Sequence, residues 1–144
     1  MKNKTLLTAI ACIFLLTCCK TYTITPENFK EQMIHAKSSN YKEVKINNPL
    51  NYGEISYSSN NVKYLIVNDK DGNEYTIYNS PSIEMRITHR NGKKFHFYFD
   101  TVILENDTIF GGRSRFFQGL TRKIPLDSVS KIEIQDGGKK IHYQ

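Results

Sequence analysis

The segment IEMRITHRNGKKFHFYF, residues 83–99, reads as two β-strands joined by a tight turn. Apolar and polar residues alternate on both sides of the turn, which is the pattern of strands with one buried face. A two-residue Asn-Gly turn would place Ile87 opposite His96 and mix apolar and polar side chains on one face. A three-residue loop ending in Gly92 places Ile87 opposite Phe95 instead. We therefore predict a hairpin with the three-residue loop and a buried aliphatic and phenylalanine face.

Two further turn signals predict hairpins of the same kind. Lys70-Asp71-Gly72 is typical of a three-residue loop, and Gly137-Gly138 of a two-residue loop. The cross-strand pairs that these loops predict are apolar or aromatic on both strands: Val67 with Tyr75, Leu65 with Ile77, Ile134 with Ile141, and Ile132 with Tyr143. The chain from residue 41 onward is therefore expected to be built from short antiparallel strands.

A single short helix is predicted ahead of these strands, over residues 25–37. Thr25 has the chemistry of an N-cap, and Pro26 suits the first helical position. Apolar residues then recur at helical spacing, at Phe29, Met33 and Ala36. This stripe is expected to pack on the strands, with a partner-binding helix as the other interpretation, since short amphipathic helices usually pack on their own domain.

The remaining segments predict more strands and one irregular loop. Strands are expected at residues 102–104 and 108–110 around an Asn-Asp turn, and a long mobile loop or distorted hairpin at Arg113–Arg122. Pro125 excludes a central strand position, and a 3₁₀ turn is expected to lead into a strand at residues 131–135. The fold class predicted is mainly β: a small antiparallel barrel or a strongly twisted sheet of hairpins, with one short N-terminal helix.

The first 20 residues have a different composition. Lys2 and Lys4 precede an apolar run, Leu6 to Leu16, that is too short to cross a bilayer and has the layout of an export signal. All three cysteines of the chain lie in this segment, so no disulfide is expected in the exported domain.

The run ends in Leu16-Thr17-Cys18-Cys19, which resembles the lipobox of bacterial lipoproteins. The resemblance implies cleavage before a cysteine, a diacylglycerol on its sulfur and a fatty acid such as palmitate on its new amine. Cleavage before Cys19 fits the family's leucine-small-small preference better, and Cys18 stays open as the alternative. An ordinary signal peptide is a further interpretation. The domain boundaries expected are a signal peptide at 1–18, a lipidated cysteine and polar tether at 19–24, and one domain at 25–144, with the β region at 41–144.

Two broader resemblances accompany the lipobox. The order of strands and turns from Met85 to Ile134 resembles small SH3-like or Sm-like barrels, which is a likeness of topology. The whole chain is similar to small lipoproteins of Bacteroidota-type bacteria that have no assigned activity. In such proteins, surface export is associated with acidic residues after the lipidated cysteine, whereas Lys20-Thr21 follow here. These likenesses imply an envelope location, on the outer membrane facing the periplasm.

The residues between Arg86 and Lys123 carry a basic excess, with eight basic residues against three acidic ones. This pattern predicts a site for an anionic partner, such as an acidic protein, a glycan or a lipid headgroup. The candidate binding residues are all cationic: Arg90, Arg113, Arg115, Arg122 and Lys123. Small barrels of this shape often bind RNA, but export argues against nucleic acid. The alternative is a solvated basic face, with Phe116 or Phe117 closing one end of the barrel.

The sequence offers no recognisable catalytic constellation. The four histidines lack metal-binding spacing, so no metal site, no cofactor and no catalytic residue are predicted. In the predicted registers, His96 lies opposite Arg86 and His142 opposite Glu133, both on the surface. Asp100 is interpreted as a residue of a turn or strand end. A non-catalytic binding or structural role is therefore expected, and a small hydrolase that pairs a surface histidine with a carboxylate is the alternative.

Overall fold

The computed structural model describes residues 20–48, 53–117 and 119–144 of the 144-residue chain. The predicted signal peptide and both candidate cysteines, Cys18 and Cys19, lie outside the described residues. One helix, α1, spans Pro26–Met33. The strands are β1 Thr21–Ile24, β2 Lys42–Asn47, β3 Glu54–Ser59, β4 Tyr64–Asn68, β5 Glu74–Tyr78, β6 Ile83–His89, β7 Lys94–Tyr98, β8 Ile103–Glu105, β9 Thr108–Gly112, β10 Thr121–Pro125 and β11 Val129–Asp136.

The strands form three antiparallel sheets, which confirms the predicted mainly β class. The largest sheet has the order β5-β4-β1-β11-β6-β7, the second has β10-β9-β8, and the third pairs β2 with β3. Within the described residues the strands do not close into a barrel, because β5 and β7 are the two edges of the large sheet. The twisted-sheet form of the prediction therefore describes this protein.

Two of the three predicted hairpins have the predicted register. Ile87 pairs with Phe95 across β6 and β7, and Val67 pairs with Tyr75 across β4 and β5. Gly92 has a backbone φ of +84°, in the left-handed region that the three-residue loop requires. The buried faces of these strands contribute Leu65, Val67, Met85, Ile87 and Phe97 to the core.

The third predicted hairpin is wrong, and Thr21–Ile24 of the expected tether form strand β1. Strand β11 does not fold back at Gly137-Gly138 but lies between β6 and β1, with Ile132 opposite Ile24. Tyr143 bridges to Ile46 of β2 instead. Residues Thr21–Ile24 are a strand because they fill the side of β11 that the predicted hairpin would have occupied. The first described strand therefore begins at Thr21, within the segment expected to be a tether.

Helix α1 closes one face of the large sheet. The side-chain oxygen of Thr25 accepts a hydrogen bond of 3.2 Å from the amide of Asn28, which confirms the N-cap. Phe29, Met33 and Ala36 are fully buried, so the apolar stripe packs on the protein's own core. The helix ends at Met33, four residues before the predicted boundary, and Ala36 contacts the core from beyond it.

The closing segment follows the sequence prediction. Pro125 ends β10, which is an edge strand of the three-stranded sheet, so the missing proline N–H interrupts no ladder. A 3₁₀ turn at Leu126–Ser128 leads into β11. The expected turn after β8 is also present, with Asn106 and Asp107 in the left-handed region at φ values of 48° and 54°.

Candidate anion-binding groove

The hairpin formed by β9 and β10 packs directly on β7, because β9 carries a glycine at the contact. A Cβ atom at Gly111 would overlap the ring of Phe97, so the ring lies against bare backbone. Phe97 itself is 3% exposed. This close approach brings Arg122, which pairs with Gly111 across the hairpin, alongside the outer edge of the large sheet.

A groove of about 380 Å³ runs between β7 and this hairpin. We call it the basic groove and define it by its lining residues, which are Lys93, Lys94, Phe95, His96, Phe97, Arg113 and Arg122. Among the described residues, this lining contains four cationic side chains and no carboxylate. The guanidinium of Arg122 lies 4.8 Å from the centroid of the Phe95 ring, a cation–π contact that holds this cation at the groove wall.

The four cations of the basic groove belong to no ion pair of the described residues, unlike six of the other fourteen basic side chains there, which are Lys30, Lys45, Arg86, Arg115, Lys131 and Lys139. An anion entering the groove therefore does not compete with a carboxylate of that part of the chain. At an effective dielectric constant of about 20, a singly charged anion 4 Å from one of these cations would be attracted to it by about 4 kcal/mol.

The structure brings together only part of the cationic set predicted from the sequence. Arg113 and Arg122 line the basic groove. Lys123 follows Arg122 along β10 and so points to the opposite face, with its amine 5.4 Å from the Phe110 ring centroid. Arg90 lines a separate cleft of mixed charge beside Glu27, Lys30, Asp107 and Asp127. Lys93 and Lys94, which sequence reasoning counted in the basic excess but did not assign to the site, complete the groove.

The assignment of Arg115 to the binding surface is wrong. Arg115 is 4% exposed, and its Nη2 lies 3.1 Å from Oδ1 of Asp100, which is fully buried. The same Nη2 donates a hydrogen bond of 2.5 Å to the carbonyl of Pro81. The guanidinium lies 3.8 Å from the centroid of the Tyr98 ring. Arg115 is therefore a structural cation at the base of the β9–β10 loop.

The Asp100 carboxylate also joins the two-stranded sheet to the rest of the fold. The hydroxyl of Tyr57, on β3, donates to Oδ2 of Asp100, and the hydroxyl of Tyr143 donates to the same oxygen over 3.1 Å. Burial and the neighbouring carboxylate raise the pKa of Tyr57 far above its ordinary value. The same causes raise the pKa of Tyr143 to about 12. Both hydroxyls therefore remain protonated donors at neutral pH.

The phenylalanines of the loop do not close a barrel end, as one interpretation of the sequence proposed. Phe116 is 55% exposed and Phe117 is 68% exposed. The loop joins β9 to β10 as a distorted hairpin, in which the amide of Arg113 donates to the carbonyl of Leu120 over 3.0 Å. Ser114 Oγ accepts hydrogen bonds from the amides of both phenylalanines.

The histidines take different positions from one another. His96 lies opposite Arg86, as the hairpin register predicted. His142 does not face Glu133, because β11 pairs with β1 and β6; its amide donates to Oδ1 of Asn47 instead.

Glu133 is held by Arg86 over 2.8 Å and by Lys131 over 3.0 Å. The hydrogen bond from Arg86 keeps the pKa of Glu133 at about 2.

Neither a metal-binding cluster nor a membrane-spanning helix is found in the described residues. No group of three or more histidine, cysteine, aspartate or glutamate side chains in residues 20–48, 53–117 and 119–144 has the geometry to hold a metal ion. No helix in that part of the chain combines the length and apolar character needed to cross a membrane.

Comparisons with protein-family models, with curated proteins and with solved structures gave no match.

Proposed function

We propose that this chain is a lipid-anchored protein of the bacterial envelope whose domain binds an anionic group in the basic groove and catalyses no reaction. The anchor is supported by the short apolar run followed by Cys18 and Cys19, which resembles a lipobox. In this proposal Cys19 carries the lipid, and the domain faces the periplasm from the outer membrane. Several acyl chains on one residue would hold the protein stably, because each buried CH₂ contributes about 0.8 kcal/mol.

The binding role rests on one observation: among the described residues, four cationic side chains line the basic groove and no carboxylate does. Arginine binds phosphate and carboxylate groups through paired N–H donors, and lysine adds point charges. Phe95 adds an aromatic ring to the groove lining, beside the guanidinium of Arg122. The ligand class is a group bearing phosphate or carboxylate on a lipid headgroup, an acidic glycan or an acidic protein.

We expect the double substitution Arg113→Glu with Arg122→Glu to weaken anion binding by about 100-fold or more, since each of the two arginines loses a hydrogen bond to a charged group, which contributes about 1.5–3 kcal/mol. The probes are polyphosphate, polyglutamate and vesicles containing phosphatidylglycerol, with affinity measured by titration at fixed salt. The three probes separate phosphate from carboxylate chemistry and a free ligand from a membrane surface.

The chain offers a matched control for this substitution. Arg90→Glu with Lys123→Glu makes the same change in net charge at two positions outside the basic groove. We expect the control to retain most of the affinity. Equal weakening in both double variants would show that binding follows net charge alone, and would contradict a role for the groove.

A further inference from the structure

The loop between β9 and β10 presents an apolar tip to solvent. Phe116, Phe117 and Leu120 are 55%, 68% and 52% exposed, and they lie within five residues of one another. A compact group of large apolar side chains at one exposed place marks a contact surface, whereas scattered ones need no explanation. We call the described residues of this loop, 113–117 and 119–120, the aromatic loop. Arg113 at the start of this loop and Arg122 in β10, just after it, belong to the basic groove.

The base of the aromatic loop is fixed to the core. Arg115 is buried against Asp100, Tyr98 and the carbonyl of Pro81. Ser114 Oγ orders the next turn by accepting from two amides. The apolar tip therefore projects from an anchored base, and its exposure is a property of the folded protein.

The loop base lies at the end of the large sheet from which β1 begins. Thr21 pairs with Gln135, Gln135 with Glu84, and Glu84 with Tyr98, so these residues form one row across β1, β11, β6 and β7. The Arg115 guanidinium lies over the Tyr98 ring at the far side of this row. Three strand spacings of about 4.8 Å separate Thr21 from Tyr98, or about 14 Å.

This placement brings the proposed lipid anchor and the aromatic loop to the same end of the domain. Cys19 precedes Thr21 by two residues, which span at most about 7 Å. Since Thr21–Ile24 of the predicted tether form a strand, little free chain separates the lipid from the sheet. A lipidated Cys19 would hold this end of the sheet close to the bilayer surface.

We propose that the aromatic loop is a second membrane contact, in which Phe116, Phe117 and Leu120 enter the interfacial region of the bilayer in which the protein is anchored. This inference rests on the proposed lipid anchor. The three side chains supply the apolar area, and Arg113 and Arg122 supply positive charge for anionic headgroups, the combination typical of interfacial binding. The loop and the lipid together would fix the orientation of the domain on the membrane.

The test uses the absence of tryptophan from the chain, which makes an introduced tryptophan a unique fluorescent probe. Phe117→Trp is made in the full-length protein, which is purified from membranes and reconstituted into vesicles of phosphatidylethanolamine and phosphatidylglycerol, with and without brominated acyl chains. The matched control is Tyr78→Trp. Tyr78 is 73% exposed, lies on the opposite edge strand β5 and pairs with Tyr64 at the other end of the sheet.

We expect the tryptophan at position 117 to emit at shorter wavelength on vesicles and to lose intensity with brominated chains, while the tryptophan at position 78 changes in neither respect. Protein that floats with the vesicles but leaves position 117 unshifted and unquenched would overturn the loop contact while the anchor stands. Protein that does not float would overturn the anchor and the loop contact together. A shift that grows with protein concentration and is insensitive to bromine would place the loop against a second copy of the chain, and would also overturn the inference.

Discussion

Replacing Asp100 by alanine is expected to lower the free energy of unfolding by about 3–5 kcal/mol, the usual cost of removing one partner of a buried ion pair. The substitution leaves the Arg115 guanidinium buried without its counter-charge. It also removes the acceptor of the Tyr57 and Tyr143 hydroxyls. Urea unfolding followed by circular dichroism measures the change.

The control for this prediction is Glu54→Ala. Glu54 pairs with Lys45 over 3.1 Å, but both side chains are about half exposed. Exposed ion pairs contribute about 0.2–1 kcal/mol, so this variant should unfold close to the wild type. A loss of stability in Asp100→Ala no larger than that in Glu54→Ala would contradict the structural role of the buried pair.

Gly111→Ala is expected to lower the free energy of unfolding by about 1–3 kcal/mol, because the new methyl group overlaps the Phe97 ring in a packed region. The ring has little room to move, since Phe97 is 3% exposed and forms part of the core. Relief of the overlap requires β9 to move away from β7, which also widens the basic groove. The unfolding measurement is the same as for Asp100→Ala.

Gly119→Ala is the matched control for Gly111→Ala. Gly119 lies in the same hairpin loop, outside the left-handed region, and a Cβ atom added there would meet no atom of the described residues within 4 Å. We expect the stability of this variant to be unchanged or slightly increased. Equal stability of the two alanine variants would mean that β9 does not pack closely on β7.

Local sequence information was sufficient to predict the strand register where a short turn joins two strands. The register of β6 and β7 follows from alternation and from the left-handed glycine at position 92, both of which are encoded within residues 83–99. The N-cap at Thr25 and the 3₁₀ turn before β11 are likewise formed by residues that are close together in the chain. These features were therefore predictable without knowledge of the rest of the chain.

The neighbours of β11 were not predictable in this way. Ile132 and Ile134 alternate with polar residues, and such a strand fits any partner with a matching apolar face. Its actual neighbour β1 lies more than 100 residues earlier in the chain. The short sequence Thr21–Ile24 carries no turn signal that points to β11, so it was interpreted as a tether.

The sequence predicted only part of the candidate site, because contacts between residues distant in the chain decide which arginines are buried. Arg113 and Arg115 stand two residues apart in the same basic stretch, and nothing local distinguishes them. The difference comes from Asp100, which is 15 residues away from Arg115 in the chain and lies in a separate turn. Gly111 permits the close approach to Phe97 that shapes the groove, and this contact joins two strands that are not consecutive in the chain.

The most direct test of the lipid-anchored envelope proposal is mass spectrometry of the N-terminal peptide of the protein extracted from membranes. We predict a peptide that begins at Cys19 and carries the added mass of a diacylglycerol and an amide-linked fatty acid. A peptide that begins at Cys18 with the same added mass would keep the anchor and change the modified residue. A peptide that retains Met1 and carries no lipid mass would contradict the proposal.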